Sequence, residues 1–189
     1  MTITIINDCR DANAAGRLCV RTASLFNMAV SFIGVTSDME AAGDLIDILD
    51  AIEDREGTVL VNVAPRNGDA KQWPNGAPFG YFWFGNILVL ASIHGFTLSL
   101  VKKLKLTKSF QVMDIAEVMN DLAAHNEVLQ TDKDRIIRSQ FRSYDFLPRV
   151  AAYLMRYREI KSSSFGMDRI PDAPAAIWWV DNFGNCKTT

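Results

Sequence analysis

In the first third of the chain, short β-favouring runs alternate with stretches of helical period, and that alternation restricts the fold more than any motif. Thr2 to Asn7 is rich in β-branched residues and ends in the polar pair Asn7-Asp8. Asn13 to Phe26 carries Ala14, Leu18, Ala23 and Leu25 at helical spacing, and Val30 to Val35 reads as a second strand. Ser37 or Asp38 can cap a helix from about Met39 to Ile52, with Ala41, Leu45, Ile48, Leu49 and Ile52 on one side. Gly57 opens a third strand, Thr58 to Val63. This βαβαβ order predicts an α/β fold: a largely parallel sheet with helices on both faces. In such sheets ligands gather beyond the carboxyl ends of the strands, here Asn7-Asp8 and Ala64-Pro65-Arg66-Asn67-Gly68.

With 189 residues, 49% of them hydrophobic, the chain can hold one good domain, or one plus a small second one, around a packed core. The formal net charge is −2, with acids and bases interspersed, which argues against nucleic acid as the main partner. No apolar run is long enough to span a bilayer, and Met1-Thr2-Ile3-Thr4 lacks the pattern of a signal peptide. Cys9, Cys19 and Cys186 have no metal-type spacing, and only His94 and His125 could assist them, so no metal site is expected. Reduced thiols and a cytoplasmic setting are the simplest expectation. The acidic row Glu40, Asp44, Asp47 and Asp50 reads as a solvated helix face.

Further along, Tyr81-Phe82-Trp83-Phe84 and Ile87 to Ala91 flank Gly85-Asn86 as a tight hairpin. Asp114 to Ala124 and Phe146 to Tyr157 are helical by period, with Pro148 in the first turn of the latter. The Ser, Gly and Pro content of 161–174 suggests a linker. The expected organisation is therefore an α/β domain over 1–160, a linker over 161–174 and a β segment over 175–189. That segment runs Ile177-Trp178-Trp179-Val180 into Asp181-Asn182-Phe183-Gly184-Asn185. Its ring, glycine and amide suit a stacked heteroaromatic ligand, while Asn and Gly equally suit a β-turn.

Four separated pieces, in order, resemble the S-adenosylmethionine hydroxide adenosyltransferase family, related to the fluorinase and chlorinase enzymes. Its opening strand and Thr-Asp-Phe-Gly correspond to Asn7-Asp8-Cys9-Arg10, and its Gly-Thr-Val strand to Gly57-Thr58-Val59. Its Phe-His-Gly-Arg-Asp-x-Phe-x-Pro-Val-Ala-Ala block corresponds to Phe141 through Ala152, and its Asp-x-Phe-Gly-Asn-x-x-Thr to Asp181 through Thr188. The resemblance implies a larger α/β domain followed by a small β-barrel, assembled as a homotrimer with the adenosyl ligand between subunits. S-adenosylmethionine would be the substrate or ligand, with no separate cofactor. By the same resemblance Asp8 holds the ribose diol, a task that competes with capping the next helix. Phe183 and Asn185 would contact adenine, Ser92, His94 and Gly95 would lie near the sugar, and Asn67 and Trp73 would sit on the crossing loop. His94 reads equally as a turn residue bonded to backbone.

The chain departs from the family where water is activated. The aspartate, arginine and histidine positions are Ala64, Lys71 and Arg142. Losing the groups that orient water should cost about 3 kcal/mol or more in barrier. The expectation is therefore twofold: hydrolysis of S-adenosylmethionine to adenosine and methionine, or a non-catalytic binding or assembly module on the same fold. Family members also continue past the Phe-Gly-Asn strand, so the barrel is expected here as its first strand only.

Overall fold

The computed structural model describes residues 1–64, 77–139 and 141–189. Its centre is a seven-stranded sheet in the order β2-β1-β3-β5-β4-β6-β7. The strands are β1 (Thr2–Asn7), β2 (Ser31–Gly34), β3 (Gly57–Asn62), β4 (Phe79–Phe84), β5 (Ile87–Ser92), β6 (Ser109–Met113) and β7 (Ser163–Gly166). β1 pairs in parallel with β2 and β3, and β3 in parallel with β5. β4 runs antiparallel between β5 and β6, and β7 antiparallel on β6, so five strands share one direction and two oppose it. The α/β class and the mostly parallel sheet are as the alternation predicts.

Side chains divide between the faces with a period of two, as the pleat demands. Ile5, Leu60, Leu88 and Leu90 join one core, and Ile6, Val59, Val61 and Val89 the other. The first core is covered by helices α1 (Ala12–Phe26), α4 (Ile115–Ala124), α5 (Gln130–Arg138) and α7 (Leu147–Tyr157). The second is covered by α2 (Asp38–Ile52) and α3 (Ser99–Lys103). A four-residue helix, α6 (Arg142–Asp145), leads into α7. Because α1 and α2 pack on opposite faces, the two crossovers part between β1 and β3. A crevice opens outside the carboxyl ends of strands at such a point.

The helix starts follow cap chemistry. Asp11 accepts the Asn13 and Ala14 amides at α1, Ser37 accepts the Glu40 amide at α2, and Asp114 accepts the Glu117 amide at α4. The capping alternative for Asp8 is thereby answered, since Asp11 fills that role.

Residues 161–174 depart from the expected linker. Ser163–Gly166 is strand β7, Met167–Arg169 form a 3-10 turn, and Met167 and Ile170 are buried in the second core. An edge strand needs only one paired side, which lets serines sit where a central strand would hold apolar residues.

The C-terminal segment is a hairpin rather than a single strand. β8 (Ile177–Val180) pairs antiparallel with β9 (Cys186–Thr188). It sits on the outer side of α2, where a Cβ at Gly43 would run into the Trp178 indole and where Lys187 pairs with Asp47. The acidic face of α2, expected to be merely solvated, is in part the hairpin's seat. Asp44 lies in it half-buried. Burial first, then repulsion from Glu40 and Asp47, pushes its carboxyl up to about 6, with Lys187 pulling the other way.

Candidate functional site

The shared direction of five strands places their exits on one edge. Asn7 ends β1 buried, and its side-chain oxygen accepts the Cys9 amide at 2.8 Å, which turns the chain sharply outward. Asp8 follows. Its amide donates to the Asn62 carbonyl at 3.2 Å, and its Oδ2 accepts the Ala64 amide at 3.0 Å. The carboxylate thus continues the β1–β3 pairing past the last strand residues, at the mouth of the crevice. Directly beneath, Asn7, Asn62, Ser143 and Leu147 line a narrow cleft with Ile5, Leu18 and Leu60. At about 170 Å³ among the described residues it falls below the range of pockets that enclose small ligands.

On the far side of β3, Ser92 is buried at the end of β5. Its hydroxyl accepts from the Val63 amide at 3.1 Å and donates to the Val63 carbonyl at 3.3 Å. Both bonds pin the β3 exit to β5, so Ser92 shapes the rim from within. His94 begins a turn: its carbonyl accepts from the Thr97 amide and hydroxyl, and no hydrogen bond to its ring occurs among the described residues. Gly95 has φ +53°, and a Cβ there would strike the Asp38 carboxylate. That carboxylate accepts the Phe96 amide at 2.8 Å, tying the β5 exit to the start of α2. The His94 backbone thus forms the turn, and its half-buried imidazole borders the same edge.

Arg142 opens α6 beside Ser143 of the cleft. Burial lowers its guanidinium pKa, and its Nε is buried without a hydrogen-bond partner among the described residues. Asn67, Lys71 and Trp73 lie outside the described residues. Ala64 is described and exposed, and it presents a methyl group where the family pattern has a carboxylate.

Phe183 and Asn185 form the tip of the β8–β9 hairpin. Asp181 organises the turn by accepting the Phe183 amide, the Asn185 amide and the Asn185 side-chain amide, at 2.9, 2.8 and 2.8 Å. Hydrogen bonds from Asn185 chiefly hold the Asp181 carboxyl below its usual range. The turn reading of this motif is therefore realised. The ring it displays is 85% exposed, with no partner ring among the described residues. No described contact joins Phe183 or Asn185 to Asp8.

Sequence reasoning missed Asn62 and Ser143, which line the cleft, and Asp38, which clamps the β5 exit. Asn62 had a usable signal: it is the polar residue in register with Asn7 across the parallel pair. Among the described residues no group of three or more His, Cys, Asp or Glu side chains is placed to hold a metal ion. Nor is any described helix long and apolar enough to cross a membrane.

No protein-family model matches the chain, and no curated protein does. Solved structures do. An uncharacterized conserved protein from Thermotoga maritima superimposes with a TM-score of 0.63 at 15% identity, over 99% of this chain and 71% of that one. At that identity the likeness establishes a shared fold.

Proposed function

We propose that the chain binds an adenosyl ligand, S-adenosylmethionine or adenosine, in the crevice outside β1 and β3. The observation that carries this reading is the position of Asp8, a carboxylate at the end of β1 where the crossovers part. A carboxylate accepts hydrogen bonds and donates none, and a ribose diol supplies two donors. The resemblance of the Asp8, Phe141–Ala152 and Asp181–Thr188 segments to the adenosyltransferase family supports the same ligand. The exposed Phe183 ring suits stacking on adenine in the crevice of a neighbouring copy, in a homotrimer with the site between subunits. In the hydrolytic form of this proposal water attacks the ribose C5′ as the C5′–S bond breaks. Methionine leaves as a neutral thioether, and the proton of the attacking water passes to solvent.

A second reading, binding or assembly without turnover, is favoured by Ala64 and Arg142. Neither side chain can take a proton from water at neutral pH, so these two water-activating positions supply no base. Calorimetric titration of the protein with S-adenosylmethionine and with adenosine tests the shared premise. Saturable binding, weakened about tenfold or more by Asp8→Ala, is the expected result, since hydrogen bonds to a charged group carry about 1.5–3 kcal/mol. Absence of binding to both compounds would overturn the adenosyl-binding premise and leave assembly alone. Chromatography after long incubation then separates them: adenosine or a halogenated nucleoside means turnover, and intact S-adenosylmethionine means binding alone.

A further inference from the structure

The surface between α1 and α6 carries a second constellation, away from the hairpin. Asp145 is 4% exposed and is shared by three guanidiniums. Arg135 bonds its Oδ2 at 3.0 Å, while Arg21 and Arg149 approach its Oδ1 at 3.7 and 3.8 Å. Those two distances exceed a hydrogen bond, and Oδ1 has no hydrogen-bond partner among the described residues. Arg149 bonds the Asp145 carbonyl instead, and Arg21 turns outward to donate to the Tyr144 hydroxyl at 2.9 Å.

Arg17, one turn before Arg21, also lies over the Tyr144 ring, the two guanidinium carbons standing 4.8 and 4.5 Å from its centroid. Burial opposes ionisation of the Tyr144 phenol, yet hydrogen bonds and charge from Arg21 and Arg17 outweigh it and lower its pKa. Three guanidiniums, those of Arg21, Arg135 and Arg149, share two carboxylates, Asp132 and Asp145, and Arg17 adds a fourth that pairs with neither. Two positive charges are left over in a chain whose formal net charge is −2. Like charges four residues apart on a helix repel, so Arg17 and Arg21 have reason to share an anion from outside.

The surface has room for one. Ala12, Asn13, Gly16, Val20 and Ser24 border a groove of about 500 Å³ with Arg17, Arg21 and Tyr144. Gly16 lies on its floor in mid-helix. Its φ is not positive, and a Cβ there would meet nothing within 4 Å. Glycine at such a position costs about 1 kcal/mol of helix stability, and neither backbone geometry nor packing asks for it. It does keep the floor open.

We propose that this groove binds a phosphate monoester with a flat or apolar organic part. The two guanidiniums take the dianion, and Tyr144 and Val20 take the organic part. The site does not depend on the adenosyl reading of the crevice. Phenyl phosphate is the probe, with inorganic phosphate and phenol as single-part controls, titrated at low salt by calorimetry. Saturable binding of phenyl phosphate is expected, tighter than inorganic phosphate and absent for phenol. Two variants decide it. Arg17→Ala removes an exposed cation, and Gly16→Leu fills the floor with a better helix former, so neither works by unfolding the chain. Each is expected to weaken phenyl phosphate at least about tenfold, while Asp8→Ala leaves it unchanged. No saturable binding, or binding retained in either groove variant, would overturn the proposal.

Discussion

The seven-stranded sheet and the C-terminal hairpin are both β structure, yet they are held by different physics. Val59, Leu60 and Val61 of β3 are 0–3% exposed and packed on both faces. All three residues of β9 are exposed, and in β8 only Trp178 is partly covered. The sheet rests on apolar burial, which is non-directional and insensitive to pH. The hairpin rests on one indole against Gly43, the Lys187–Asp47 pair, and bonds from Ala176 and Thr189 that close its base. A two-stranded hairpin has little stability of its own, so its placement depends on α2. Burial and hairpin geometry thus separate into two units of very different strength.

The largest effect should come from the sheet side. Phe146 is fully buried beneath α7 and stacks at 6.1 Å on Phe79. Phe146→Ala should destabilise the whole α/β unit by about 3–5 kcal/mol, seen as a lower denaturant midpoint. An unchanged midpoint would mean that this core is not the source of stability. Next comes Gly43→Leu, which displaces Trp178 from α2. About 2 kcal/mol of seating energy should be lost, and the amides of β8 and β9 should exchange faster while the midpoint of the sheet holds. Loss of both together would show the two regions to be one cooperative unit.

The smallest effect is the most specific to the hairpin. Asp44 has its folded pKa raised from 3.8 to about 6. The folded state therefore binds this proton more tightly than the unfolded one. The stabilisation is fully present below about 3.8 and is lost as pH rises through about 6. After discounting for solvent around a half-exposed group it amounts to about 1 kcal/mol. Hairpin exchange, corrected for its intrinsic pH dependence, should quicken as pH rises from 3.8 to about 6, the window between the two values, and Asp44→Asn should flatten the trend. A variant that keeps the full slope would remove Asp44 from the seat.

The first half of the sheet was legible because β1, β3 and α2 carry strong local signals: β-branched runs, a serine cap and an apolar stripe. The β4–β5 hairpin was legible from Gly85-Asn86 alone, and Gly85 has the positive φ that its turn requires. β7 was not, because what makes Ser163–Gly166 a strand is the neighbour β6, itself distant in sequence. The same limit hid the hairpin's seat. Gly43 looks like a weak point in a helix until Trp178 arrives from 135 positions further on. Of the candidate site, Asp8 could be read as a strand-end carboxylate, but its bond to Ala64 and the double bond of Ser92 to Val63 exist only once β1, β3 and β5 lie side by side. The arginines around Asp145 come from α1, α5 and α7, and only the spacing of Arg17 and Arg21 shows in the sequence.

The borders of the large sheet have a consequence for how copies of this protein can meet. Its two outermost strands, β2 and β7, have four residues each, and each has serine at its start and glycine at its end. So short a border exposes few unpaired backbone groups and makes a poor template for adding a foreign strand. Runaway cross-strand aggregation is disfavoured at both margins of this sheet.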